Sequence, residues 1–397
     1  MNKVKRQLNV LYITSYYMED VCKQRNPYRY ISQAGMNKAN FMLDLMCTCG
    51  YNVYIWSNAW TNSRSFRFYK GFQSKLNDHL YYSSIFGAPL FNVLSCEWSG
   101  KNFIRSFMRE HDIDVVIFYN MRVETSGLAR YIKRKYHIPI ILEYEDGLER
   151  DTNNNLLKRC IYRFVQNRVK RELDGAIVVN SLVQNAFQCD SVVIRGAAKK
   201  MDEPTKYLKS GEKLRVLFAS TLDEQRGILV VLDALKYTKL EFELYITGKG
   251  PLEEIVAENK DSRVHYLGYL EYDEYKELLK DSHVCVNAQK SGQEYAQVSF
   301  PSKMFEYLSM NKLIVSSDVA DIEDCMGNAV LVYHNDNAAE LAQKIELAYD
   351  ICADQGARLV YAEKIEKCLN DNSMDKLAAK LASLTNNCVK DFEKREG

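Results

Sequence analysis

The segment 215–250, RVLFASTLDEQRGILVVLDALKYTKLEFELYITGKG, is the part of the chain that decides the fold class. It predicts a strand over 215–219, a helix over 228–235 and a second strand over 243–247. Both strands are short apolar runs bounded by turn residues, and the segment between them has helical periodicity. Two strands joined by a helix of this length form a βαβ unit, so we expect a parallel sheet here.

The same alternation of strands and helices extends over the whole chain. It begins with a strand at 8–14, although the aromatic segment 61–99 has no clear period. The charged segment 197–213 lacks apolar periodicity and predicts a linker between two α/β domains. We therefore expect two Rossmann-like domains that face each other across a cleft, with ligands at the carboxyl ends of the strands. The predicted divisions are an N-terminal domain at 1–196, the linker at 197–213, a C-terminal domain at 214–370, and a C-terminal helix returning to the N-terminal domain, with a tail, at 371–397.

Composition excludes several classes of protein. The 397 residues include 53 Lys and Arg against 52 Asp and Glu, a net charge of +1, which does not favour a whole-surface nucleic-acid binder. The 11 Cys are scattered and odd in number, so we expect free thiols and a cytoplasmic protein. The 6 His form no zinc-binding spacing, and we expect no metal cofactor.

The segment FPSKMFEYLSMN, residues 300–311, carries the strongest candidate binding site. Pro301 stands where a helix would begin, and Ser302, Lys303 and Glu306 follow in its first turn. A helix N-terminus suits a phosphate, whereas a purely structural Lys is disfavoured there by the helix dipole. A surface pair of Lys303 and Glu306 remains the alternative.

Three glycine-containing segments and one acidic turn supply further candidates. Arg226 in TLDEQRG, residues 221–227, offers a guanidinium for a phosphate, although an ordinary turn is equally compatible. Gly248 in ITGKGP and Gly35 in QAGMNKAN mark turns that carry weak signals by themselves. In EYEDG, Glu145 and Asp146 follow a predicted strand and could orient a hydroxyl or act as a base, although a solvated acidic turn is equally compatible.

Taken together, these segments resemble the retaining GT-B glycosyltransferases of family four, many of which extend bacterial cell-surface glycans. The resemblance preserves order along nearly the whole chain. It rests on AGMNKANFMLDLMCTCGYNVYIWS, DIDVVIFYN, GAIVVNS, LFASTLDEQRGILVVLDAL, LYITGKGPLEEI, VHYLGYLEYDEYKELLKDSHVCVNA and FPSKMFEYLSMNKLIVSSD.

The resemblance implies a role for each candidate residue. Glu306 matches the second glutamate of the family's E-x7-E motif and would bind the donor ribose, whereas the first glutamate is replaced by Val298. Arg226 and Lys303 would neutralise the leaving diphosphate, and Glu145 stands about where many members carry a His before Asp146. The remaining donor-binding residues implied by the resemblance are Gly35, Thr221 (in place of a basic residue), Gly248, Val264, Pro301 and Ser302.

The activity implied is transfer of a glycosyl group from a nucleotide sugar to a glycan or lipid-linked acceptor, with retention and without a metal or a protein nucleophile. Two alternatives remain open. A phosphorylase-like or epimerase-like GT-B enzyme is one, and no segment resembles a pyridoxal-phosphate site. A catalytically inactive GT-B subunit that binds partners is the other, and the residues Val298 and Thr221 favour it.

Two further segments bear on the acceptor. The long connection 15–34 contains Lys23, Arg25 and Arg29 among tyrosines, which predicts an anionic acceptor. The helix predicted over 156–173 has basic and apolar faces, so peripheral contact with the inner face of a membrane is a hypothesis, with a solvated basic face as the alternative.

Overall fold

The computed structural model describes residues 7–25, 31–61, 65–88, 91–120, 122–145, 156–197, 201, 205–293 and 296–396. Its strands are β1 (Asn9–Thr14), β2 (Asn52–Ser57), β3 (Phe68–Tyr69), β4 (Phe72–Gln73), β5 (Leu80–Tyr82), β6 (Ile85–Phe86), β7 (Val115–Tyr119), β8 (Ile140–Tyr144), β9 (Gly175–Val178), β10 (Asp190–Val193), β11 (Leu214–Ala219), β12 (Phe242–Thr247), β13 (Val264–Tyr266), β14 (Val284–Asn287), β15 (Leu313–Ser317) and β16 (Leu331–Tyr333).

The α-helices are α1 (Glu19–Arg25), α2 (Gln33–Thr48), α3 (Phe91–Phe107), α4 (Val123–Tyr136), α5 (Leu156–Lys170), α6 (Ile228–Ala234), α7 (Glu253–Ala257), α8 (Tyr272–Asp281), α9 (Lys303–Ser309), α10 (Ile322–Met326), α11 (Ala338–Ala353), α12 (Gln355–Asp371) and α13 (Met374–Glu396). The chain divides into two compact units, Met1–Ile194 with Met374–Gly397, and Arg195–Ser373. The observed divisions fall after residues 194 and 373, and the predicted ones fall after residues 196 and 370.

The first unit is built on an eight-stranded sheet with the order β10-β9-β8-β7-β1-β2-β5-β4, parallel except for β4. Its central strands are buried on both faces, which explains their continuous apolar sequences. Helix α3 packs against α4, and α4 packs against α5. Helix α13 packs on α2, β9 and β10, and its Cys388 thiol donates to Asp174 O at 3.3 Å.

The second unit has a six-stranded parallel sheet with the order β13-β12-β11-β14-β15-β16. From β11 the chain adds strands on one side as far as β13, and it then adds β14 to β16 on the other side. The direction therefore reverses at the neighbouring pair β11 and β14. In open α/β sheets the crevice at such a reversal, outside the carboxyl ends of the strands, is where ligands bind.

Three segments have local structure that the sequence patterns did not reveal. The predicted linker packs on the second unit where it is described: Leu208 N–H donates to Cys352 O at 3.0 Å, and its side chain contacts the apolar core. The segment 61–99 forms the short strands β3 to β6 and the start of α3, and the connection 15–34 contains helix α1. These elements are too short for periodicity to reveal them.

Candidate functional site

The loops at the carboxyl ends of β11, β12 and β14 approach each other as closely as glycine permits. Gly227 has φ +75°, and a Cβ there would lie 1.8 Å from Ala288 O, in the loop after β14. Gly248 has φ +141°, and its Cβ would lie 1.9 Å from Ser220 O, after β11. Only glycine has both the backbone freedom and the space that these contacts require. The two glycines therefore hold three loops together at the point where the sheet direction reverses.

Arg226 bridges two of these loops. Its Nη1 donates to Gln289 Oε1 at 2.7 Å, and its backbone N–H donates to Asp223 Oδ1 at 2.7 Å. Gln289, which is 4% exposed, lies in the loop after β14 and was not predicted from the sequence. The guanidinium predicted to bind phosphate thus lies beside the pair β11 and β14.

Lys303 places a second cation at the same edge. Its Nζ donates to Ala219 O, the last residue of β11, at 2.9 Å, although much of the residue's surface is exposed. Burial of the ammonium lowers the pKa of Lys303; the nearby Glu306 carboxylate opposes this shift and Arg226 adds to it. Among the described residues, no carboxylate forms an ion pair with the side chain of Lys303 or Arg226. This arrangement of two cations is suited to an anion.

Glu306 lies one turn further along α9 and is held by two residues of α8. Tyr275 OH donates to Glu306 Oε2 at 2.8 Å, and Lys276 Nζ lies 3.0 Å from Oε1. Burial, together with nearby groups that include the Glu306 carboxylate, raises the pKa of Tyr275, so the phenol stays protonated and donates. Neither partner is predictable from the sequence, because both lie some 30 positions away from Glu306 in the chain and only the fold brings α8 next to α9.

The start of α9 offers fewer backbone donors than predicted. Met304 N–H donates to Pro301 O at 3.1 Å and Phe305 N–H donates to Ser302 O at 3.2 Å, so both amides already have acceptors. The helix is also only 7 residues long, so its dipole is small. The positive potential of this edge therefore comes mainly from the side chains of Lys303 and Arg226.

Three other positions of the second unit were named from the sequence. Thr221 is exposed in the loop after β11, and its carbonyl accepts from Asp223 N–H at 3.1 Å. The assignment of Val264 to donor binding is corrected. Val264 is the first residue of β13, pairs with Leu244 and packs against the core, away from the carboxyl end of the strand. Val298 is fully buried, so the position of the motif's missing glutamate is occupied by an apolar core side chain.

The assignment of Gly35 to a loop that faces the diphosphate is also corrected. Gly35 lies in the first turn of α2, not in a loop, and its N–H donates to the Oγ of the N-cap residue Ser32 at 3.2 Å. A Cβ at this position would make only ordinary contacts, the nearest at 3.5 Å. Its amide is engaged by the cap, so the predicted contact between Gly35 and a diphosphate is not supported.

A buried charged cluster lies at the carboxyl edge of the first unit's sheet. Tyr12 OH donates to Glu143 Oε2 at 2.7 Å, and Lys38 Nζ lies 3.8 Å from an oxygen of both Glu143 and Glu145. Glu143 is fully buried, Lys38 is 8% exposed, and the Glu145 side chain is 22% exposed. The cluster therefore presents Glu145 at this edge, while Asp146, its predicted neighbour, lies outside the described residues. Lys38 was not predicted.

The residues predicted to bind the acceptor do not share one environment. Arg25 is 1% exposed and donates to the carbonyls of Ala59 (3.0 Å) and Ser83 (2.5 Å), and burial lowers the pKa of its guanidinium to about 10. This residue anchors the fold, which corrects its assignment to the acceptor. Lys23 is exposed and pairs with Glu19 at 2.6 Å. Arg29 lies outside the described residues. Over the described part of the chain, no cluster of three or more His, Cys, Asp or Glu could hold a metal ion.

No helix among the described residues combines the length and the apolarity needed to cross a bilayer.

Comparison with known proteins agrees with this architecture. Residues 213–350 match the family model of glycosyl transferases group 1. Similar solved structures include a glycosyltransferase from Rickettsia africae, with 14% identity and a TM-score of 0.65 over 97% of this chain and 100% of that chain. The apo form of the lipopolysaccharide outer core galactosyltransferase WaaB has 14% identity and a TM-score of 0.63 over 97% and 99%. Anabaena Alr3699/HepE in complex with UDP has 13% identity and a TM-score of 0.59 over 96% and 100%. A search of curated proteins gives no match. The GT-B fold predicted from the sequence, with two domains built on parallel sheets, is confirmed.

Proposed function

We propose that this chain, a glycosyltransferase with the GT-B fold and a group 1 domain over residues 213–350, transfers a glycosyl group from a nucleotide sugar to a hydroxyl of a glycan or lipid-linked acceptor. We further propose that the anomeric configuration is retained and that the reaction belongs to bacterial surface polysaccharide synthesis. The arrangement of Arg226 and Lys303 is the observation that carries the proposal.

The two cations suit the diphosphate of a nucleotide sugar. They converge where β11 and β14 end, and their described side-chain hydrogen bonds are to neutral acceptors, Gln289 Oε1 and Ala219 O. A diphosphate brought to this edge would replace solvent around both of them. As the glycosidic bond breaks, negative charge grows on the leaving oxygen, so both cations interact more strongly with the transition state than with the bound donor.

Glu306 is assigned to the donor's ribose. A carboxylate can accept hydrogen bonds from both ribose hydroxyls, and Tyr275 and Lys276 hold this carboxylate at a defined place on the same side of the unit. Both contacts restrict the rotation of the Glu306 carboxylate, so its oxygens stay in place for the ribose hydroxyls.

We assign the acceptor to the first unit. Glu145 presents a partly exposed carboxylate at the carboxyl edge of that sheet, and Lys38 neutralises part of the charge behind it. A carboxylate in this position can accept a hydrogen bond from an acceptor hydroxyl and orient it for attack.

We propose a cytoplasmic protein that contacts the inner face of the membrane peripherally, and the basic, apolar helix α5 supports this location.

No metal is part of the proposed reaction. Arg226 and Lys303 supply the positive charge that a divalent cation supplies in metal-dependent transferases. The support for this proposal is the presence of these two side chains at the site.

Nucleotide binding tests the proposal directly. We expect one nucleoside diphosphate among UDP, GDP, ADP, CDP and TDP to raise the Tm of the wild-type chain, and the Arg226→Gln and Lys303→Met variants to lose that shift. Lys260→Met is the matched control. Lys260 is an exposed lysine just before β13, so it lies toward the amino ends of the strands, opposite to the candidate site. A wild-type chain that no diphosphate or nucleotide sugar stabilises would favour an inactive, partner-binding subunit. For the active enzyme, NMR of the product gives the anomeric configuration, and inversion would contradict the proposed mechanism.

A further inference from the structure

Helix α5 exposes an apolar stripe. Leu157, Ile161 and Phe164 are 70%, 43% and 64% exposed, and their spacing places them on one face of the helix. The helix buries only three residues, all on another face: Val165, Gln166 and Val169. Single exposed apolar residues are common on protein surfaces, but a continuous stripe marks a contact surface.

Cations accompany this stripe. The helix contains five basic residues and no acidic residue. Arg163 and Arg168 are exposed beside the stripe, and the Arg168 guanidinium lies 6.0 Å from the centre of the Phe164 ring. A helix with a wide apolar stripe and flanking cations is typical of segments that lie in the interface of an anionic membrane.

Helix α3 exposes a second apolar stripe. Phe91, Leu94 and Trp98 are 61%, 62% and 62% exposed and follow helical spacing along its first half. The ring of Phe91 also meets the ring of Phe86 edge to face, with centroids 6.2 Å apart. An exposed tryptophan among large apolar residues is a feature of membrane–water interfaces.

An open, basic cavity of about 530 Å³ lies between α3 and α4. Its lining residues are Lys101, Gly127, Arg130, Tyr131, Arg134 and Lys135. Two carboxylates partly neutralise it: Glu97 lies 2.6 Å from Lys101, and Glu172 lies 3.3 Å and 3.7 Å from the guanidinium groups of Arg130 and Arg134. The cations outnumber these carboxylates, so the cavity suits a phosphate group of a lipid.

These three features belong to one layer, because α3 packs against α4 and α4 against α5. Together the three helices carry eleven basic and two acidic residues, whereas the whole chain has a net charge of +1. Helices of βαβ units begin near the carboxyl ends of the strands. The apolar stripes occupy mainly the first halves of α3 and α5, so they lie toward the sheet edge that carries Glu145.

We propose that the outer surface of α3, α4 and α5, called the docking face, binds an anionic phospholipid bilayer. Charge complementarity decides whether a membrane or a second copy of the chain binds to this face. A second copy of the chain on this face would bring two strongly basic surfaces together, whereas an anionic leaflet neutralises the cations and accepts the apolar stripes. The binding itself is independent of catalysis. Its consequence, that a lipid-linked acceptor reaches the first unit from the membrane, rests on the proposed function.

Vesicle flotation of the full chain tests the proposal without an activity readout. We expect binding to vesicles of phosphatidylcholine with 30% phosphatidylglycerol at about 0.1 M salt, weak binding to pure phosphatidylcholine, and release as salt rises. Each cation contributes about fivefold to such binding, so Arg163→Gln with Arg168→Gln should weaken it about 30-fold. Removing the stripe by Leu157→Ser, Ile161→Ser and Phe164→Ser should abolish it.

Helix α12 of the second unit provides matched controls. Lys364 and Lys367 are exposed, as are Leu359 (51%) and Val360 (53%). Lys364→Gln with Lys367→Gln makes the same change in net charge, and Leu359→Ser with Val360→Ser removes exposed apolar surface; both variants should bind vesicles like the wild type. A wild-type chain that fails to float with anionic vesicles, or α5 variants that bind like the controls, would overturn the proposal. A wild-type dimer in sedimentation that the α5 variants abolish would instead assign the docking face to self-association.

Discussion

In the variant Lys303→Met the side chain keeps its approximate length and loses its charge, so the leaving diphosphate loses one of its two proposed cations. One N–H of the Lys303 ammonium is used by Ala219 O at 2.9 Å, which leaves two donors for phosphate oxygens. Removing a donor aimed at developing negative charge costs about 2.7–4 kcal/mol, or about 10²–10³ in kcat. Part of the interaction already exists in the bound donor, so we expect KM to rise less than tenfold.

Lys303→Met should lower activity much more than it changes the stability of the fold. Burial lowers the pKa of Lys303, which means that the folded chain disfavours the charged form relative to the unfolded chain. The unfolded chain therefore binds more protons between the lowered pKa and the ordinary value, and wild-type stability rises with pH across that window. Below the window the charged lysine lowers stability, and removing that cost offsets the loss of the hydrogen bond to Ala219 O, so Lys303→Met should leave Tm nearly unchanged.

Lys312 is the matched control within the same unit. It is 4% exposed, and its ammonium donates to Lys280 O at 2.7 Å and Ser282 O at 2.9 Å. Lys312→Met leaves buried carbonyls unpaired, at about 1–3 kcal/mol, so Tm should fall while kcat per folded molecule stays unchanged. The assay is donor kinetics together with thermal melting. A Lys303→Met variant with wild-type kcat, or one whose loss of activity follows a loss of Tm, would refute the assignment of Lys303 to the diphosphate.

Glu306→Gln should raise the donor KM about 10- to 100-fold through loss of a charged hydrogen-bond acceptor; an unchanged KM would contradict the ribose assignment. Gly227→Ala should lower Tm strongly, because its Cβ would lie 1.8 Å from Ala288 O, whereas Gly268→Ala, at φ +66° with open space, should cost only about 1 kcal/mol. Equal Tm losses in the two variants would refute the close-approach argument. Burial lowers the pKa of His283 to about 4, so the free energy of unfolding should fall as pH drops from about 6.5 to 4, and His283→Gln should flatten that slope in acid titrations. Transfer activity should survive EDTA, and activity restored only by added Mg²⁺ or Mn²⁺ would show that the proposed cations do not suffice.

Local sequence patterns predicted most of the regular elements of both sheets. Strands such as β1 and β11 are apolar runs of six residues next to turn residues, and their periodicity is visible within a short window. The two-residue strands β3 and β4 gave no such signal, because two residues are too few to show a period and each strand forms only by pairing with β6 or β5.

The candidate donor site was predicted in part for the same reason. Arg226 lies in the loop between β11 and α6, so the parallel-sheet prediction indicated a place near a strand end, and Lys303 was predicted in the first turn of a helix. Which groups hold them was not predictable. Gln289 is 63 residues from Arg226, and Ala219 is 84 residues from Lys303.

By itself, the sequence determined the alternation of strands and helices, the parallel sheets and the position of charged residues at strand ends, since these depend on neighbours within a few residues. The tertiary structure alone decided that Arg25 is buried against carbonyls and that Lys38 joins Glu143, 105 positions away. A charged residue has the same local sequence signal whether it faces solvent or a buried partner. Its role depends on the desolvation and pairing that packing imposes, and these arise only when distant segments meet.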